Sequence, residues 1–235
     1  GAASGDPPPS ATTQVQPPAT PHKAFYLGLD IDEDARPYLS SIQGFFDFVL
    51  RYSKNVTLEE ISALQSSGLK VGLIFEVSGI VTGGSTRGQA DGQLFLQQCE
   101  RIGIRPGPKS AVFPACDEDL TSSQLAIGEA YFTGFSSIVV PAGWQMGAYA
   151  PGALLTRMGQ NITYPWSVGA KGWNATESYD ETLEWAICQG PPVVNGGPWA
   201  PGHGRLPNLP TIQWPSIGHG VGYDPNVAQT LDWAL

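Results

Sequence analysis

The stretch FVLRYSKNVTLEEISALQSSGLKVGLIFEV, residues 48–77, decides the fold of this 235-residue chain. Its two ends are short, nearly continuous apolar runs, the pattern of strands buried on both faces. Between them the apolar residues recur at helical spacing, with Thr57 as N-cap, Glu60 in the capping-box position and Gly68 at the close. Strand, amphipathic helix and strand in so short a span form a βαβ unit, whose two strands run parallel.

The same rhythm extends in both directions. KAFYLGLDI (23–31) reads as the first strand, PYLSSIQGF (37–45) as a short helix opened by Pro37, and FDFVLRY (46–52) as the second strand. RGQADGQLFLQQCERIGI (87–104) reads as a helix ending near Gly103, SAVFPAC (110–116) as a strand and TSSQLAIGEAYFTGF (121–135) as the next helix. QMGAYA (145–150), a Trp-rich region, a helix over SYDETLEWAICQ (178–189) and TIQW (211–214) follow. A doubly wound nucleotide-binding sheet places a Gly-rich loop after its first strand. Here that place holds DIDEDARP (30–37), which repels phosphate. Alternation and length together predict an α/β chain folded as a (β/α)8 TIM-type barrel over residues 23–235, irregular in its second half. Residues 1–22 are a Pro/Ser/Thr-rich flexible tail or linker.

With 14% charged residues and a net charge of −9, the chain has no electrostatic footprint for nucleic acid. It has no apolar run long enough to span a bilayer. Sequons at Asn55, Asn161 and Asn174, in a chain rich in Gly, Pro, Ser, Thr and Gln, point to a secreted, extracellular glycoprotein acting as a monomer. Cys99, Cys116 and Cys188 permit one disulfide, and spacing selects none of the pairs. These cysteines and the scattered His22, His203 and His219 match no zinc motif, so neither metal nor cofactor is expected.

The acids carry the functional signal. One acidic cluster before a helix is an ordinary N-cap, a part that Asp34 and Ser122 fill. Here acids follow several apolar segments: Asp30 and Asp32 after the first, Glu76 in LIFE, Asp117 and Asp119 in PACDED, and Asp224 in GYDPN after the last. In a barrel the C-terminal ends of the strands meet on one face, so acids distant in sequence converge. Strand alternation places Asp117 and Asp119 on one side and turns Glu118 away. Converging carboxylates suit glycoside hydrolysis, which needs one protonated acid for the leaving oxygen and one ionised partner. The catalytic candidates are Asp119, Asp117 and Asp30. Substrate-binding candidates are Glu76, Asp32 and Asp224 with the aromatics Tyr149, Trp166, Trp173, Trp199 and Trp214, whose faces stack on sugar rings. The alternative is a carbohydrate-binding barrel without efficient hydrolysis.

GLDID, the run from Phe48 to Glu76, AVFPACDED, QMGAYAPGALL and the closing IQW…GVGYDPNVA resemble the glycoside-hydrolase-like domain family 1906 of the domains of unknown function. That family is similar to glycoside hydrolase family 25, the Chalaropsis-type lysozymes. The resemblance covers residues 23–235. It implies an Asp after strand one, a D-x-E pair after strand four and an Asp near the last strand, here Asp30, Asp117 with Asp119, and Asp224. The Glu of D-x-E is that family's proton donor, and Asp119 holds its position. Hydrolysis of a polysaccharide or cell-wall glycan is the activity implied.

Overall fold

The computed structural model describes residues 25–77, 83–199, 211–218 and 220–235. The sequence-predicted tail and His22, His203 and His219 lie outside them. The chain alternates β1 (Tyr26–Ile31), α1 (Leu39–Ile42), β2 (Phe48–Tyr52), α2 (Leu58–Ser66), β3 (Lys70–Phe75), α3 (Gly84–Ile102), β4 (Ala111–Pro114) and α4 (Leu125–Val139). It continues through β5 (Gln145–Ala150), α5 (Gly152–Met158), β6 (Tyr164–Ser167), α6 (Thr176–Asp180) and β7 (Ile187–Gln189). Two short strands, β8 (Gly197–Trp199) and β9 (Ile212–Trp214), precede the last, β10 (Asp224–Ala228).

Eight strands close into a barrel in the order β1-β10-β7-β6-β5-β4-β3-β2, the (β/α)8 architecture read from the sequence. Neighbours from β1 through β7 pair in parallel, whereas β10 runs antiparallel to both β1 and β7. The antiparallel ribbon β8–β9 stands outside the barrel. TIQW is therefore an accessory strand, and the final barrel strand is the segment that begins at Asp224.

Two apolar layers hold the structure. Inside the barrel, Phe48, Leu50, Phe113, Trp166 and Trp233 pack together with ring centroids 5.2–5.7 Å apart along Phe48–Trp233–Phe113–Trp166. Gly28 admits this plug, because a Cβ there would lie 2.1 Å from the Phe48 ring. Between strands and helices, Leu29, Val49, Val71 and Phe75 meet Leu64, Phe95 and Phe135.

Helix α2 begins as its sequence predicts, with the Glu60 backbone N–H donating to Thr57 Oγ1 at 3.2 Å. The Glu60 side chain does not complete a capping box. It turns inward to accept from Arg51 Nε at 2.6 Å and from the Ala35 backbone N–H at 2.9 Å. Arg51, on β2, also donates to the Ile31 carbonyl. Both members of this ion pair are almost wholly buried. They bind the exit of β1 to β2 and α2, and so fix the start of the loop that follows Asp30.

The segment read as a helix over 178–189 is three things instead: the end of α6, a turn and β7. Leu183 takes a left-handed conformation with φ +59°, which no helix continues through. The apolar residues beyond it, Ile187 and Cys188, pair with β6 and β10. Tertiary pairing thus overrides a local helical pattern. All three cysteines are buried thiols outside any disulfide, and burial pushes the Cys99 and Cys116 thiols up to about 12.

Replacing Glu60 with Ala is expected to destabilise the fold by about 3–5 kcal/mol in urea denaturation, because it leaves the Arg51 guanidinium buried and unpaired. A loss below about 1 kcal/mol would show that the pair is dispensable.

Candidate active site

The site is made where β10 closes against β1. Asp30 stands one residue before the end of β1, and in the antiparallel register its partner is Asp224, the first residue of β10. Directly opposite residues on neighbouring strands hold their Cβ atoms about 5 Å apart. Because β10 runs backwards, its N-terminal residue reaches the same mouth as the C-terminal ends of the parallel strands. Asp224 therefore joins the cluster by starting the last strand, not by following it.

Burial and mutual repulsion act on this pair together. Burial first, then the charge of Asp224, raises Asp30 well above the ordinary carboxylate range, against hydrogen bonds from Asn226 and Gln189 that pull it down. Burial, with the charge of Asp117, pushes Asp224 up to about 6. Burial also raises Glu76, with Lys54 opposing and Asp117 and Asp32 adding to the shift.

A polar relay joins the acids. Asn226 Nδ2 donates to Asp30 Oδ2 at 2.8 Å, and Gln189 Nε2 donates to the same oxygen at 3.0 Å. The Tyr149 hydroxyl lies 2.6 Å from Gln189 Oε1 and 3.3 Å from Asp117 Oδ1. Asp30 is thus linked to Asp117 across β7 and β5. Burial and the charges of Asp117, Asp30 and Asp224 keep the Tyr149 phenol protonated.

Asp30, Glu76, Asp117 and Asp224 line a small cavity of about 50 Å³ with Tyr52, Tyr149, Trp166 and Gln189. Asp117, Tyr149, Gln189 and Asp224 also line a wider groove of about 520 Å³. The outer part of that groove comes from the loops after β6 and β7, with Trp173 and Lys171 on one and Gly190, Pro191 and Pro192 on the other. These loops touch at Gly169, where φ is +62° and a Cβ would fall 1.7 Å from the Gln189 carbonyl oxygen. Among the described residues, no group of three His, Cys, Asp or Glu side chains is arranged to hold a metal ion.

Several sequence-predicted site residues stand elsewhere. Strand β4 ends at Pro114, so two-residue alternation does not extend to Asp117 and Asp119. Asp117 turns to the cavity. Asp119 is exposed outside both the cavity and the groove, and its Oδ1 accepts the Asn174 backbone N–H at 2.8 Å. This bond ties the loop after β4 to the loop carrying Trp173. Asp32 is exposed and accepts from Asn55 Nδ2 at 2.8 Å, close enough to influence Glu76 but not lining the cavity. Trp199 and Trp214, the last residues of β8 and β9, are buried against each other, and Trp214 also packs on Phe45 and Phe46. Of the predicted aromatics, Tyr149, Trp166 and Trp173 face the cavity or the groove.

Tyr52, Gln189, Asn226 and Lys171 escaped the sequence reading. Gln189 and Asn226 sit in register on neighbouring strands, a relation that the sequence signals only once both segments are known to be strands. Tyr52 carried a usable signal, since it ends a buried run on β2 as Glu76 follows one on β3.

A closed α/β barrel with carboxylates gathered at its mouth defines the class: a glycoside hydrolase-like barrel. The chain belongs to the family described as Rv2525c-like, glycoside hydrolase-like domain, which matches residues 37–214. The Tat-secreted protein Rv2525c of Mycobacterium tuberculosis, crystallised with L-tartrate, is similar in fold. Its TM-score is 0.59 at 14% identity, over 86% of this chain and 94% of that one. An uncharacterized B. stearothermophilus protein gives 0.55 at 17% identity, over 89% and 100%. The Clostridium perfringens spore cortex lytic enzyme SleM gives 0.50 at 12%, over 92% and 71%. No curated protein matches the sequence.

The facing carboxylates make a stability prediction. A carboxyl raised on folding binds more protons in the folded state, so its stabilising contribution is present at low pH and lost as pH rises through the folded value. For Asp224 the loss runs from its ordinary 3.8 to about 6. Asp224→Asn is therefore expected to be more stable than the parent by about 1–3 kcal/mol at pH 7.5, with the gain vanishing near pH 4. Denaturant midpoints that are equal at both pH values would contradict the raised Asp224 carboxyl.

Proposed function

We propose that this barrel hydrolyses a glycosidic bond in a polysaccharide or cell-wall glycan, and that it acts outside the cell. The observation that carries the reading is the pairing of Asp224, held protonated up to about pH 6, with Asp117 on the open side of the same cavity. Acid-assisted glycoside cleavage needs a carboxyl that can donate a proton, with a second carboxyl group facing the same bond.

In this mechanism Asp224 gives its proton to the leaving glycosidic oxygen as the carbon–oxygen bond breaks. Asp117 faces the positive charge that develops at the anomeric carbon. Water then adds its oxygen to that carbon and returns a proton to Asp224. Asp30 lies beneath, almost wholly covered, raised by burial and by the charge of Asp224, and it accepts hydrogen bonds from Gln189 and Asn226. Tyr149 holds Asp117, and its ring packs 4.7 Å from that of Trp166 to form the apolar wall. Action outside the cell is supported by the sequons and by the likeness to Rv2525c, itself a Tat-secreted protein, and recovery of the native protein in the culture medium rather than the lysate tests it.

Incubation of the protein with a panel of polysaccharides, with products read by mass spectrometry, is the direct test. Asp117→Asn and Asp224→Asn are each expected to lower turnover by about 100-fold or more, and kcat should decline as pH rises past about 6. Asp119→Asn is expected to keep turnover within roughly three-fold, since its amide oxygen still accepts the Asn174 N–H. A collapse of kcat in Asp119→Asn, with Asp224→Asn active, would return the donor role to Asp119. Glycan binding with no products from any substrate would favour the non-catalytic carbohydrate-binding barrel.

A further inference from the structure

We propose that the outer groove binds a sugar that carries a carboxylate, its ring against Trp173 and its acid group paired with Lys171. The inference rests on the glycan reading above and specifies the sugar next to the cleavage point.

Lys171 is the single cationic side chain among the residues lining cavity and groove, and it lines the groove without lining the inner cavity. It is exposed and makes no ion pair among the described residues. The inner cavity holds four carboxyls, Asp30, Glu76, Asp117 and Asp224. That cavity is too small for a sugar ring, and an anionic ring seated over its opening meets the like charge, so the inner end of the groove selects a neutral sugar. The same groove thus sorts charge along its length, repelling an acid group inside and attracting one outside. The net charge of −9 does not cancel this preference. At physiological ionic strength charges more than about 8 Å away are largely screened, which leaves the local arrangement to decide.

The outer wall is built in advance of any ligand. Trp173 is half-buried, and the residue after it is held on three sides. Asn174 donates its backbone N–H to Asp119 at 2.8 Å and its side-chain amide to the Leu120 carbonyl at 3.3 Å, while its carbonyl accepts from the Ala153 N–H at 3.1 Å. On the opposite wall Pro191 and Pro192 have little conformational freedom to lose, and Gly190 is backed by the Trp199 ring, 2.4 Å from where a Cβ would stand. A groove of about 520 Å³ falls within the range of small-ligand sites, roughly 300–1,000 Å³, and a preorganised aromatic face with one charge beside it fixes both ring and substituent.

The test uses two matched pairs of oligosaccharides: a hexuronate tetramer against its carboxyl-reduced form, and carboxymethylated chitotetraose against plain chitotetraose. Binding to the full chain is followed by tryptophan fluorescence at physiological salt. The expected result is at least one acidic member bound about five-fold more tightly than its neutral twin. Lys171→Gln should erase that difference, and Lys171→Arg should keep it. Equal binding within both pairs, or a preference that survives Lys171→Gln, overturns this inference and leaves the hydrolase reading standing. No binding of any of the four sugars overturns both.

Discussion

The site depends on one constraint, the antiparallel closure of β10 against β1. A parallel eighth strand would bring its C-terminal end to the mouth and leave Asp224 at the opposite end of the barrel. Reversal brings Asp224 to Asp30 in register, and the side chains of β7, which pairs with β10 on its other edge, complete the arrangement. Gln189 and Asn226 reach Asp30 because their strands are neighbours there. Two like charges forced together under cover are destabilising, and burial, with the charge of Asp224, raises the Asp30 carboxyl well above its ordinary range.

That unfavourable arrangement sits within a stiff surround. The buried Arg51–Glu60 pair joins the end of β1 to β2 and α2, and the aromatic column from Phe48 to Trp166 fills the barrel beneath the acids. On the groove side, Asp119 and Asn174 hold the Trp173 loop, and Gly169 lets the loop after β6 lie on β7. Asp119 thus serves the site without entering it. Its carboxylate holds a groove wall through Asn174, and the cavity itself is lined by acids on β1 and β10 and just beyond β3 and β4.

Much of the fold was legible in the sequence because its signals are local. The apolar runs of β1 to β5 bury both faces of a parallel sheet, Thr57 caps α2, and Gly103 ends α3 in the left-handed conformation expected of it. The second half was harder. Its strands β6 and β7 have four and three residues, too short for periodicity to separate strand from helix. The run 178–189 misled because its helical spacing was real but interrupted at Leu183, a residue with no sequence mark of a left-handed turn. Trp199 and Trp214 misled because a Trp among Gly and Pro reads equally as a sugar platform and as the cover of a small ribbon.

The sequence by itself determined the kind of molecule: an acidic chain of apolar strands and capped helices, with carboxylates at the strand ends and no basic surface. It also grouped Asp30, Asp32, Glu76, Asp117, Asp119 and Asp224 as one set, since each was read at the end of an apolar segment and a barrel gathers strand ends. Only the tertiary structure decided which acids face each other. Asp224 came in through a strand direction that no local pattern encodes, and Asp119 was left out because β4 stops at Pro114 and alternation stops with it. Strand direction and register are set by hydrogen bonds between segments nearly two hundred residues apart, as Asp30 and Asp224 are. Their energies depend on which partner is present, and a single stretch of sequence carries no record of its partner.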